Sequence, residues 1–213
     1  MARSDVHRVN LRLFSTSVMV ASCVISCGGT EAAAQFRPLE VYVGQVDGTD
    51  ARIALVRDDA RWAAYVCGGP STLSSMTEWF EGESKPSTDG GAEAQSNGRL
   101  LRVAFTHDAA TGSVVTGSEA AFSASRVSDG APIGLFQMSE RGCRSGLIVP
   151  PSGQGDPQGV YCANLDVYGN AIPTMYRQVN PLLPLAVTAR GIASHVAGDA
   201  RTIYLMPVVL PLP

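Results

Sequence analysis

Leu39-Glu40-Val41-Tyr42-Val43-Gly44-Gln45-Val46, Arg52-Ile53-Ala54-Leu55-Val56-Arg57 and Trp62-Ala63-Ala64-Tyr65-Val66-Cys67 are short runs rich in β-branched, aromatic and small apolar residues. Gly48-Thr49-Asp50 and Asp58-Asp59-Ala60 lie between them. Glycine admits the backbone angles of a reversal, and aspartate side chains bond their own backbone in turns. Residues 39–67 therefore read as a three-strand antiparallel meander. In the third run Trp62 alternates with Ala64 and Val66, which assigns the indole to a core and not to a binding platform.

Downstream, Gly68-Gly69-Pro70 stops the third strand. Leu73, Met76, Trp79 and Phe80 then recur at helical spacing, so one short helix is expected over residues 71–80, with the Trp-Phe pair closing the end of a β core. Residues 81–98 contain nothing apolar larger than alanine and read as an exposed loop. Strand-like runs resume at 99–106, 112–116, 120–127 and 132–138, with residues 108–112 as a hairpin connection. Further runs lie at 146–149, 158–164, 174–179, 185–189 and 202–208. The fold class is mainly β: an antiparallel meander closed into a barrel, or a sandwich, with one short helix. Residues 39–138 form a first β-rich domain. Residues 146–208 are either a second β subdomain or a continuation of the same fold, the alternatives turning on the break at 139–145.

Ahead of the meander, Arg3, Arg8 and Arg12 stand against a single acid, Asp5, and residues 13–25 are uncharged. At 1.5 Å per helical residue that run covers about 20 Å, short of the roughly 30 Å hydrocarbon core, so it reads as the apolar region of an export signal. Val24-Ile25-Ser26-Cys27 has a branched apolar residue three before a cysteine and a small residue just before it, and Val20-Ala21-Ser22-Cys23 repeats the pattern. In these residues the amino terminus resembles bacterial lipoprotein signals. The resemblance implies a signal over residues 1–26, acylation at Cys27 with Cys23 the alternative, a flexible tether at 27–38, and a stable multi-chain lipid anchor in the cell envelope. Cleavage after Ala32-Ala33-Ala34 is the rival reading and would leave a periplasmic or secreted chain starting at Gln35. The stretch Tyr42 through Val56, with Ala64-Tyr65-Val66-Cys67 and Trp79-Phe80, also resembles a loose group of uncharacterised secreted β-rich bacterial proteins; it implies export and a β fold and brings no activity with it.

Starting at Cys27 leaves 187 of the 213 residues and moves the formal charge from −3 to −5. No basic patch for nucleic acid is present in that balance. Cys67, Cys143 and Cys162 remain, an odd count that suits one disulfide and one thiol in an oxidising compartment. Cys143 and Cys162 flank the turn-rich Pro150-Pro151-Ser152-Gly153-Gln154-Gly155-Asp156-Pro157 and are the expected pair, while Cys67 reads as a small buried hydrophobe.

Catalytic and cofactor motifs are thin. His107 and His195 lack partners at metal-ligand spacing, no Gly-x-Ser-x-Gly occurs, and no phosphate loop of the Gly-x-x-x-x-Gly-Lys type is present. His195 with Asp199 is the conceivable base and orienter, and Asp47, Asp50, Asp58 and Asp59 are turn aspartates whose oxygens could also meet calcium. No catalytic residue, metal ligand or cofactor site is assigned. The first functional reading is a non-catalytic, lipid-anchored β-domain that binds an envelope protein or a small ligand. The alternatives are a secreted hydrolase or protease-associated domain with a site assembled from distant residues, and an accessory subunit that pairs an apolar edge with a partner.

Overall fold

The computed structural model describes residues 39–84, 91–128, 132–140, 143–165, 171–181, 187–199 and 201–210. Residues 37–213 form one compact unit. Its elements are β1 (Glu40–Val46), β2 (Arg52–Arg57), β3 (Arg61–Cys67), α1 (Leu73–Met76), β4 (Glu78–Glu83), β5 (Gly91–Ser96), β6 (Arg99–Phe105), β7 (Ala109–Val115) and β8 (Glu119–Val127). A second series follows: β9 (Gly134–Glu140), β10 (Cys143–Val149), β11 (Gln158–Leu165), β12 (Ala171–Pro181), β13 (Val187–Thr188), β14 (Gly191–Val196) and β15 (Thr202–Pro207). The class is mainly β with one short helix, and all recorded strand pairs are antiparallel.

The meander forms as its sequence dictates, and its register shows why its central residues are apolar on both faces. Tyr42, Leu55, Ala64 and Phe80 make one cross-strand row, and Val43, Ala54, Tyr65 and Trp79 make the next. Side chains alternate between faces, so the rows point in opposite directions. The first row enters a core with Leu101, Val103, Val114 and Phe122 of the remaining first-series strands. The second meets Leu135, Ile148 and Val160 of the second series. β2 and β3 are thus covered on both sides, and Ile53 through Val56 and Trp62 through Cys67 are all buried. β6 has only one covered face, so Leu101 and Val103 are buried while Arg102 and Ala104 are exposed.

The first sheet runs β4-β3-β2-β1-β8-β7-β6-β5, and its two ends lie side by side to give a barrel-like closure. Glu78, 7 % exposed, clasps one end of that seam. Its carboxylate accepts from Ser96 Oγ (3.2 Å), Asn97 Nδ2 (3.1 Å) and Arg99 Nη1 (2.7 Å), while Arg99 also donates to Ser74 and Ser75 carbonyls at α1. The second sheet runs β12-β11-β10-β9-β15-β14-β13, and an added β12–β14 pairing joins its flanks into a six-strand ring. Phe136, Leu147, Tyr161, Ile192, Ile203 and Leu205 fill that ring.

Several boundaries differ from the sequence reading. The helix is four residues long, because Thr77 turns extended (φ −66°, ψ 116°) and Trp79 and Phe80 continue as β4. Phe80 enters the first core, whereas Trp79 stacks on Tyr65 on the opposite face (4.5 Å between centroids), so the expected shared helical face does not exist. Residues 81–98 are not one loop: β4 ends within them and β5 pairs with β6 through a turn at Asn97 (φ 46°) and Gly98 (φ 76°). The chain from 134 to 140 belongs to the second sheet, and Ser139, Glu140, Cys143, Arg144 and Ser145 pair within the β9–β10 hairpin. β14 had no counterpart among the expected strands.

Cys143 and Cys162 form a disulfide across β10 and β11, with Cα atoms 5.7 Å apart. Replacing both by serine should lower stability by about 3 kcal/mol on the loop-entropy account, measured by urea unfolding under non-reducing conditions. Gly146 lies under the Tyr65 ring where the two series meet, leaving no room for a Cβ. Gly146→Ala should destabilise by about 1–3 kcal/mol in the same assay, the usual cost of overpacking.

Candidate functional site

The two series of strands meet along the outer face of β1–β3, and one margin of this contact is polar. Gln158, at the start of β11, donates its amide Nε2 to the carbonyls of Asp50 (3.2 Å) and Cys67 (2.9 Å). Arg52, at the start of β2, reaches across to donate Nη2 to Gln154 O at 2.8 Å. The loop accepting that bond is the turn-rich 150–157 stretch. Gly155 there has φ +93° and lies so close to the guanidinium that any Cβ would strike Nη2. The positive φ is what calls for glycine, since the end of the arginine side chain could swing aside.

Beside this crossing is a cleft of about 320 Å³ lined by Arg52, Pro70, Asp156, Gln158, Gln178 and Val179, among others. That volume lies near the lower end of the roughly 300–1,000 Å³ typical of small-molecule sites, which favour the junctions of structural units. Arg57, Arg99, Arg102, Arg126, Arg144 and Arg201 each hold a carboxylate. Arg52 differs, since its hydrogen bond is to a carbonyl, and no ion pair is recorded for it or for Asp156 among the described residues. The two opposite charges line one cleft without neutralising each other.

The cleft rim is fixed by Asp50. Its carboxylate accepts from Thr72 Oγ1 (2.5 Å) and the Ser71 amide (2.7 Å), tying the β1–β2 turn to the segment before α1. The Thr72 bond first, and the Ser71 amide after it, hold the Asp50 carboxyl below the ordinary aspartate value. Asp58 does similar work in the next turn, accepting from the amides of Ala60 (2.8 Å) and Arg61 (2.7 Å).

No family model, no curated protein and no solved structure matches the chain. The residues themselves must therefore carry any functional reading.

His107 is exposed in the β6–β7 turn, 3.8 Å from Asp108 and 3.1 Å from Arg126 Nη1. His195 lies in β14 and not in a loop, with its Nδ1 3.5 Å from Thr202 Oγ1, while Asp199 pairs with Arg201. Neither histidine lines the cleft. Among the described residues no group of three His, Cys, Asp or Glu side chains could hold a metal ion. Cys67 is fully buried, and that desolvation pushes its thiol up to about 12, so the thiolate nucleophile is suppressed at neutral pH. Cys27 and Cys23 lie outside the described residues.

Two other charged clusters were not foreseen. Glu40 receives Arg57, Arg126 (3.2 Å) and the Tyr42 hydroxyl (2.9 Å); burial pushes its carboxyl up, but these partners outweigh it and the net direction is down. Arg144 lies 3.6 Å over the Trp79 ring, donates to Gln137 (2.5 Å) and pairs with Glu81, fastening β4 to β9 and β10. Arg144 and Glu81 balance, Glu40 is shared by two arginines, and both clusters read as structural clasps. Sequence spacing gave no sign of them, because their members are far apart in the chain.

The Asp50 bonds give a signed expectation. A carboxyl held low in the fold contributes stability in full above its unfolded value of about 4 and loses it as pH falls through the lower folded value. Asp50→Asn should therefore lower the urea midpoint at neutral pH, and the gap to the parent should narrow progressively as the pH is taken below about 4.

Proposed function

We propose that this chain is an exported, lipid-anchored, non-catalytic β-domain of the bacterial cell envelope that acts as a binding module, with the cleft between its two strand series as the binding site. The observation that carries the reading is the cleft itself, lined by an arginine and an aspartate that do not pair and by two glutamine side chains. Asp156 has no recorded partner among the described residues, and Arg52 keeps N–H groups beyond the one given to Gln154, so both charges can meet a ligand. The amino-terminal pattern ending at Cys27, with Cys23 as the alternative, supports attachment to a membrane through lipid; a periplasmic or secreted chain is the rival location. The bonds from Gln158 to Asp50 and Cys67 and from Arg52 to Gln154 support a pre-formed site over one assembled by movement.

A second reading as an interaction module rests on a separate observation. The exposed large apolar residues of the described chain are Val187, Tyr204, Met206 and Val209, which all fall late in the second series. Tyr204 and Met206 share the outward face of β15, with Arg190 6.0 Å from the Tyr204 ring. Such a row suits contact with another envelope protein.

Intact mass and amino-terminal peptide mapping on protein from the membrane fraction of its own cells tests the anchor, and an acylated Cys27 or Cys23 is the expected result. A soluble chain starting at Gln35 would overturn it. Native mass spectrometry of the same material tests the binding reading. A small-molecule adduct should be present on the parent and lost from Gln178→Ala, and an unmodified mass throughout would reject the cleft as a binding site.

A further inference from the structure

We infer that the cleft recognises a small zwitterion, an amino acid or dipeptide with both ends free, its carboxylate on Arg52 and its ammonium on Asp156. The inference rests on the binding-module reading and names the class of ligand for that site.

Charge balance selects this class. The cleft presents one guanidinium and one carboxylate, so its formal charge is zero, and a simple anion or cation would satisfy one group while facing repulsion from the other. A ligand carrying both charges satisfies both. Arg52 is only partly exposed and has no recorded carboxylate partner among the described residues, an arrangement whose desolvation cost an incoming carboxylate offsets. Its planar fork suits that group, since one N–H is fixed on Gln154 O and orients the rest.

Arg52 is held to the 150–157 loop by its bond to Gln154 O, and Asp156 stands two residues on, directly before Pro157, whose ring fixes φ there. Arg52 ties the loop that carries Asp156 to β2 through Gln154, and no ion pair between the two charges is recorded among the described residues. A cleft of about 320 Å³ admits a ligand of one or two residues. Gln158 and Gln178 add carboxamides, which can accept from and donate to a peptide group. Gln158 is already committed through Nε2 to Asp50 and Cys67, so its position is fixed before a ligand arrives.

The test is calorimetric titration and amide-resolved NMR of the mature protein with four probes: glycylglycine, N-acetyl-glycylglycine, glycylglycinamide and acetate. Glycylglycine should shift the Gly155, Gly159 and Gln178 signals and bind roughly tenfold or more tightly than any probe lacking one of its charges. Asp156→Asn, an exposed position with no recorded structural bond, should remove the advantage of the free amine over its acetylated form. Arg52→Gln should remove the advantage of the free carboxylate over the amide, with its unfolding midpoint recorded because Arg52 also holds the 150–157 loop. Equal binding of the blocked and free probes would overturn the zwitterion while leaving the binding module in place. Absence of cleft shifts with glycylglycine would overturn it too, and the native-mass adduct then decides separately whether the module reading also falls.

Discussion

The two-sided burial of the β1–β3 meander is the constraint on which the other parts rely. One row of its side chains, Tyr42, Leu55, Ala64 and Phe80 across the strands, completes the first core, and the adjacent row, Val43, Ala54, Tyr65 and Trp79, receives the second series. A strand with one wet face tolerates charge at every second position. These strands do not, because a one-residue register slip would exchange the two rows and present each core with the wrong set of shapes. The cleft inherits its position from this arrangement. Arg52 and Cys67 are register partners at the end of β2 and β3, and the polar crossing to Gln154 and Gln158 begins where the apolar rows stop.

Electrostatics is distributed in keeping with that plan. Glu78 closes the first barrel's seam with three donors, Glu40 draws in Arg57 and Arg126, and Arg144 joins β4 to β9 and β10 through Glu81, Gln137 and the Trp79 face. Each clasp ties elements distant in sequence, and each is satisfied from several sides, which is what a partly buried charge needs. Arg52 and Asp156 stand out because they line one cleft with opposite charges and no ion pair is recorded for either among the described residues.

The sequence was legible where burial imposes a strong pattern. The meander was visible because both faces are apolar, and the runs at 99–106 and 120–127 because β6 and β8 alternate. β5 was hidden by its composition: Gly91-Ala92-Glu93-Ala94-Gln95-Ser96 has only alanine to bury, although Asn97-Gly98 is a strong two-residue hairpin signal that could have revealed it. Trp79 and Phe80 were assigned to a helix because a spacing of three and four residues is equally compatible with two sides of a strand once a turn intervenes. β14 was masked by Ser194 and His195, polar residues in a strand whose pairing with β12 and β15 supplies what propensity does not. The cleft was not legible at all, since Arg52, Asp156 and Gln178 are brought together only by closure of long-range contacts.

The strand order also sets the sequence of events by which this chain can fold. Most pairings join neighbours along the chain, but β1 must wait for β8 to meet residues such as Phe122, and β9 must wait for β15. Each series is therefore a row of hairpins that remains an open sheet until its last strand arrives. Closing such loops carries an entropy that only the final contacts repay, so topology makes these closures the slow steps of folding. Until then the free edge of β1 is available to other chains; Glu40 and Arg57 place charge beside that edge, and Arg126 joins them when β8 arrives.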